Sequence, residues 1–193
     1  MFRRTLACAA AAALLVVVCG VCGVAQAQEM VSNPQYTSWA KHKPGTTVTI
    51  KMTTAASGQN VNMQLKQTLK EVTPETVTVE VVPSMDMGGT TQTMPAQTMQ
   101  LKSKVSAEEA KFGQLPPGTK ADIKEVGSES VTAGGQTYNC TVSEVTGESQ
   151  GTKTKGKVWR SEEVPGQVVK MEMAFEGAQT GSTKMELVSV EKK

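Results

Sequence analysis

Aromatic side chains make up only 4% of this 193-residue chain, and there is a single histidine, His42. One imidazole forces zinc hydrolysis, a serine triad and most acid-base schemes through His42, in a Lys-flanked stretch that reads as solvated surface. The chain has no G-x-S-x-G, no Gly-rich phosphate loop ending in Lys-Ser or Lys-Thr, and no Cys or His pair at metal-ligand spacing. The carboxylate pairs Glu108-Glu109 and Glu162-Glu163 fall at a helix start and a turn, where solvated charge is the ordinary state. No enzymatic activity, metal or cofactor is therefore expected. Net charge is lacking too: the formal +2 belongs to Arg3 and Arg4, and without them the 20 Lys plus Arg fall level with the 18 Asp plus Glu. Such a balance offers no electrostatic case for nucleic acid or an anionic membrane surface.

Cysteine is scarce where it would count. Three of the four, Cys8, Cys19 and Cys22, lie in an apolar run from Leu6 to Val24 that follows Arg3-Arg4 and ends in Ala25-Gln26-Ala27. A positive start, an uncharged core and an A-x-A site form an export signal, so cleavage between Ala27 and Gln28 is expected and residues 28–193 form the mature domain. The alternative is an uncleaved anchor, since the run nearly spans a bilayer. Nothing of a twin-arginine pattern follows Arg3-Arg4, which favours Sec export to the periplasm or the medium. Val precedes both Cys19 and Cys22, so lipid anchoring there is not expected. Cys140 remains without a disulfide partner and alternates with Tyr138 and Val142, as a small buried strand residue would.

What is present is period two. Val48, Ile50 and Met52 alternate with polar residues, as do Val61, Met63 and Leu65, and Val77, Val79 and Val81. Turn-like segments at 56–60 and 72–75 join these runs into an antiparallel meander. Further strands are expected around 121–126, 129–133, 136–145, 152–161, 167–176 and 182–190, with Ala133-Gly134-Gly135-Gln136 and Val164-Pro165-Gly166-Gln167 as turns. Asn33 as cap, Pro34 in the first turn and the Pro44-Gly45 stop predict a short helix over 34–43, with Tyr36, Trp39 and Ala40 on one face. Ser106 with Glu109 forms a capping box for a second short helix over 107–112. Residues 83–98 read as a loop or a loose hairpin tip, given Pro83, Gly88-Gly89 and little charge. The fold class is mainly β: a single curved antiparallel sheet, an open half-barrel of about nine strands, with one or two short helices in or across its concave face.

Methionine is the excess, with eleven residues. Met85, Met87, Met94 and Met99 resemble thioether segments that hold copper(I), although no His or Cys accompanies them. The other reading is that Met fills irregular apolar surface, since Met52, Met63, Met171, Met173 and Met185 fall at strand-alternating positions. Met171, Met173 and Phe175 line one strand face, beside a hairpin partner carrying Val158 or Trp159. With a helix across the concavity, this surface is either a trough for acyl chains or a packed core without a cavity.

Residues Lys157-Val158-Trp159-Arg160-Ser161-Glu162-Glu163-Val164-Pro165-Gly166-Gln167-Val168-Val169-Lys170-Met171 resemble the late hairpin of the LolA/LolB-type half-barrel, the bacterial lipoprotein-carrier fold. Asn33-Pro34-Gln35-Tyr36, Trp39-Ala40-Lys41 and Lys43-Pro44-Gly45-Thr46 are similar to the start of small exported proteins of planctomycete type. The carrier resemblance implies an open barrel with a helical plug and a lipid-binding cavity. Together these readings lead to a non-enzymatic exported monomer that holds a lipid or acyl chain against Trp39, Met52, Met63, Leu65, Trp159, Met171, Met173 and Phe175. The alternative is an interaction protein of the cell envelope that contacts a protein or polymer through exposed strand edges.

Overall fold

The computed structural model describes residues 29–56, 58–87, 90–112, 120–177 and 180–193. The export segment, with Cys8, Cys19, Cys22 and the Ala27/Gln28 cleavage site, lies outside the described residues.

The first meander is β2 (Thr47–Ala56), β3 (Gln59–Val72) and β4 (Thr76–Met87), preceded by β1 (Met30–Ser32) and helix α1 (Pro34–Ala40). Short strands β5 (Thr90–Thr93), β6 (Gln97–Lys102) and β7 (Lys104–Ser106) lead to helix α2 (Ala107–Phe112). A second meander follows: β8 (Lys120–Ala133), β9 (Gln136–Ser149), β10 (Thr152–Arg160), β11 (Val168–Glu176) and β12 (Gly181–Glu191). Ten strands make one open sheet in the order β5-β4-β3-β2-β12-β11-β10-β9-β8, with β6 also on β4. The two meanders meet at the β2–β12 pair, and β1 and β7 form a separate ribbon. The mainly β, open antiparallel sheet with two short helices is thus what the alternation implies.

Turn chemistry sets the registers. Gly134 and Gly135 take φ of 56° and 76°, the left-handed pair that a two-residue hairpin turn needs. Pro165-Gly166 forms the type II turn, with Gly166 at φ 80° and the Gln167 N–H donating to the Val164 carbonyl at 2.8 Å.

Some boundaries differ from the sequence reading. Helix α1 stops at Ala40, because the His42 N–H bonds the Trp39 carbonyl and the chain turns before Pro44 is reached. Residues 83–98 are mostly strand: β4 runs on through Pro83 to Met87, β5 pairs with it from Thr90, and β6 begins at Gln97. Pro83 fits because its carbonyl accepts the Met94 N–H at 2.8 Å, so its missing N–H would point to that same side and leaves the ladder with β3 intact.

Packing concentrates at one end of the sheet. Trp39 is 1% exposed and joins Val48, Ile50, Leu69, Val79 and Leu187 in the core. Three anchors hold α1 there: Asn33 Nδ2 donates to the Lys102 carbonyl (2.9 Å), Tyr36 Oη to the Thr73 carbonyl (2.7 Å), and Ser38 Oγ to the Val164 carbonyl (3.0 Å). The two sides of the sheet approach each other through α2, where Lys111 pairs with Asp122 of β8 at 3.7 Å. The sheet therefore curls around the face that α1 covers.

Candidate functional site

Register settles which side chains share that concave face. Met85 lies opposite Met63, Met63 opposite Met52, Met52 opposite Met185, Met185 opposite Met171, and Met171 opposite Val158. Directly opposed residues have Cβ atoms about 4.5–5.5 Å apart, so five methionines form one row across five adjacent strands. All five are partly buried. The next row holds Val61, Thr54, Thr183, Met173, Gly156, Val145 and Ile123, and Gly156 leaves space that the Met173 side chain fills. On the other face the row Lys124, Glu144, Lys157, Glu172, Lys184 alternates in sign. Its ion pairs include Lys157–Glu144 at 3.9 Å and Lys184–Glu172 at 4.0 Å.

Of the residues singled out in the sequence, Met52, Met63 and Met171 thus lie in one row, Leu65 one row nearer the core, and Met173 and Phe175 one and two rows farther out. Trp39 is a core residue. Trp159 lies on the opposite face, paired with Lys170 and Val142, while Val158 takes the inward place. There it is 6% exposed, donates from Nε1 to Glu129 Oε2 at 2.8 Å and carries Lys170 Nζ 4.7 Å from its ring. Met85 and Met99 are apart: Met99 faces Val79, six residues back along β4, about 20 Å away at strand spacing. The Met87 side chain lies outside the described residues.

A cleft of about 850 Å³ opens on this face, where β6, β7 and α2 confront β8 and the ends of β10 and β11. Its apolar lining includes Met99, Leu101, Val105, Ile123 and Val168. That size is within the range of small-molecule sites, roughly 300–1,000 Å³. Sequence periodicity could not find this cleft, because it lies between segments far apart in the chain.

Arg160 lies where the cleft meets a smaller polar hollow lined by Asn139, Thr141, Glu162 and Glu163. Burial pulls its pKa below the ordinary arginine value. Cys140, 1% exposed, donates its thiol to the Tyr138 carbonyl at 3.7 Å. Burial, then Glu163 and Glu129, push the thiol pKa up, which makes it a poor nucleophile. His42 is half-buried rather than solvated, and its Nε2 has no hydrogen-bond partner. Among the described residues no cluster of His, Cys, Asp and Glu could hold a metal ion, and no helix is long and apolar enough to cross a membrane.

No family model and no curated protein matches the chain. In fold it is similar to a candidate lipoprotein of Parabacteroides distasonis, 12% identical, over 78% of this chain and 96% of the other, with a TM-score of 0.50. A candidate exported protein of YmcC-like fold from Bacteroides fragilis is 13% identical over 78% and 97%, at 0.45. A candidate outer-membrane lipoprotein-sorting protein domain from Vibrio parahaemolyticus is 10% identical over 83% and 92%, at 0.28. At 12% identity the likeness to the Parabacteroides protein is one of fold alone. The planctomycete likeness of residues 33–46 finds no support.

Proposed function

We propose that this chain is a non-enzymatic exported binding protein that holds an apolar ligand, a lipid or acyl chain, on the concave face of its sheet. The observation that carries the reading is the 850 Å³ cleft, whose apolar walls come from both sides of the curled sheet. The methionine row on the same face of the sheet supports the same reading, because unbranched thioether side chains adapt to ligands of varied shape. Export by the N-terminal signal would place the protein in the cell envelope, where lipids must be shielded from water. Contact with an envelope protein through a free strand edge is disfavoured at β8, which carries Lys120, Asp122, Lys124 and Glu125 and a bulge at Val126.

The test is binding of an uncharged apolar dye, together with native mass spectrometry of protein recovered from its own envelope. Bound lipid or dye fluorescence competed by dodecanol is the expected result. Ile123→Lys places a charge in the cleft wall and should weaken dye binding at least about tenfold, with the circular dichroism of the sheet retained. A chain that carries no lipid and takes up no dye would end the proposal.

A further inference from the structure

Arg160 ends β10 opposite Thr141 of β9, beside a register shift against β11, and its side chain lines the cleft. No hydrogen bond or ion pair engages its guanidinium among the described residues, although it is half withdrawn from water. Neighbouring carboxylates are committed elsewhere or out of reach: Glu162 pairs with Lys41 at 3.4 Å, and Glu163 lies beyond ion-pair distance. An arginine cannot escape this situation by losing its proton, and a desolvated charge without a partner is costly. The rest of the cleft does not supply the missing anion. Lys102, Lys104 and Lys111 line it against one carboxylate, Glu109, and Lys111 is already paired with Asp122.

Of the four cations that line the cleft, the three lysines are exposed and Arg160 is half-buried, at one end of a wall that carries apolar side chains; this matches a ligand with one anionic end. We propose that the cleft takes a single-tailed amphiphile whose carboxylate or phosphate head is ion-paired by Arg160, while its tail lies along Met99, Leu101, Val105 and Ile123. This deepens the apolar-ligand reading and rests on it. The planar guanidinium fork binds either head group in bidentate fashion, which an ammonium cannot do. Gln167, which borders Arg160 in both hollows, adds amide donors.

Calorimetric titration of the exported, processed chain with dodecanoate, dodecyl phosphate, dodecanol and inorganic phosphate tests this. The chain should prefer the two anionic amphiphiles over dodecanol by roughly tenfold to a hundredfold, as charge-assisted hydrogen bonds imply. Arg160→Gln should bring that ratio close to one, and Arg160→Lys should leave it in between. In the unaltered protein, rising salt should weaken dodecanoate more than dodecanol, a readout that needs no variant. Equal binding of dodecanoate and dodecanol by the unaltered chain overturns the role of Arg160 while leaving the apolar-ligand reading intact. Inorganic phosphate bound as tightly as dodecyl phosphate overturns the amphiphile and leaves a plain anion site. Failure of all four ligands to bind removes the apolar-ligand reading and this inference together.

Discussion

Ser38 and His42 show how much a few polar atoms decide around α1. Ser38 Oγ donates to the Val164 carbonyl and accepts the Gly166 N–H at 3.1 Å, so one hydroxyl ties the helix to the type II turn and keeps Trp39 in the core. His42, just past the helix, is the titrating counterpart. Burial first, then Lys192 and Lys41, lower its pKa below 6.5. As pH falls below 6.5, the unfolded chain takes up a proton that the folded chain resists, so unfolding is favoured. This contribution to stability is complete above 6.5, is lost toward the lowered folded value and is flat below it. Thermal melts from neutral to about pH 5 should show a falling midpoint, and His42→Gln should remove that part of the fall. Identical pH profiles for the two proteins would contradict the assignment. Lys41, His42 and Lys43 in a row suggested open solvent. The fold brings the charge of Lys192 to the ring from about 150 residues away in sequence, and no local pattern carries that.

Alternation along each strand was readable; alignment between strands was not. Val48, Ile50 and Met52 show their common face in the sequence alone, whereas the row of Met85, Met63, Met52, Met185 and Met171 exists only through register. Bulges explain most of what periodicity missed. β8 read as two strands because Val126 is an extra residue between Glu125 and Gly127, which resets the alternation and leaves Val126 45% exposed. Val188 is the same device in β12, at 41%. The face of Trp159 stays open in the sequence for a related reason: with Val158 and Trp159 both apolar, composition cannot say which faces inward. The methionine row makes its own prediction. Met185→Leu keeps volume and apolarity and should cost less than about 1.5 kcal/mol, with dye affinity unchanged within roughly twofold. Met185→Gln places an amide in the row and should cost more in thermal stability and weaken the dye. Equal stability and affinity for the two variants would show that the row faces water and contributes to neither.

Across the whole molecule, burial declines along the strands rather than from centre to surface. β2 is buried from Thr47 to Val48 and at Ile50 but only partly so from Met52 to Ala56. β10 runs the other way in sequence and the same way in space, exposed or half-exposed near Thr152 and buried at Val158 and Trp159. β11 and β12 repeat the trend, with Val169 and Leu187 buried and Phe175 and Gly181 only partly so. Helix α1, the type II turn and the β3–β4 turn all pack on the end where burial is complete. One end is therefore a core held by dispersion and apolar burial, while the other is a backbone ladder whose cross-strand bonds meet water on at least one side. Opening free energies within a fold follow that difference, from near zero to the global value. Native-state hydrogen exchange should find the amides of Val48, Ile50, Val79, Val169 and Leu187 exchanging only through global unfolding. Amides at residues 53–56, 152–155 and 181–183 should exchange through partial opening, at least about a hundredfold faster. Their exchange should also depend weakly on denaturant, because partial opening exposes little buried surface. Uniform protection along β2 would mean that the two ends open as one unit and that the concave face is as rigid as the core. The contrast separates two parts of the concave face: the methionine row lies toward the end least tied down by packing, whereas the cleft borders α1 and the type II turn at the packed end.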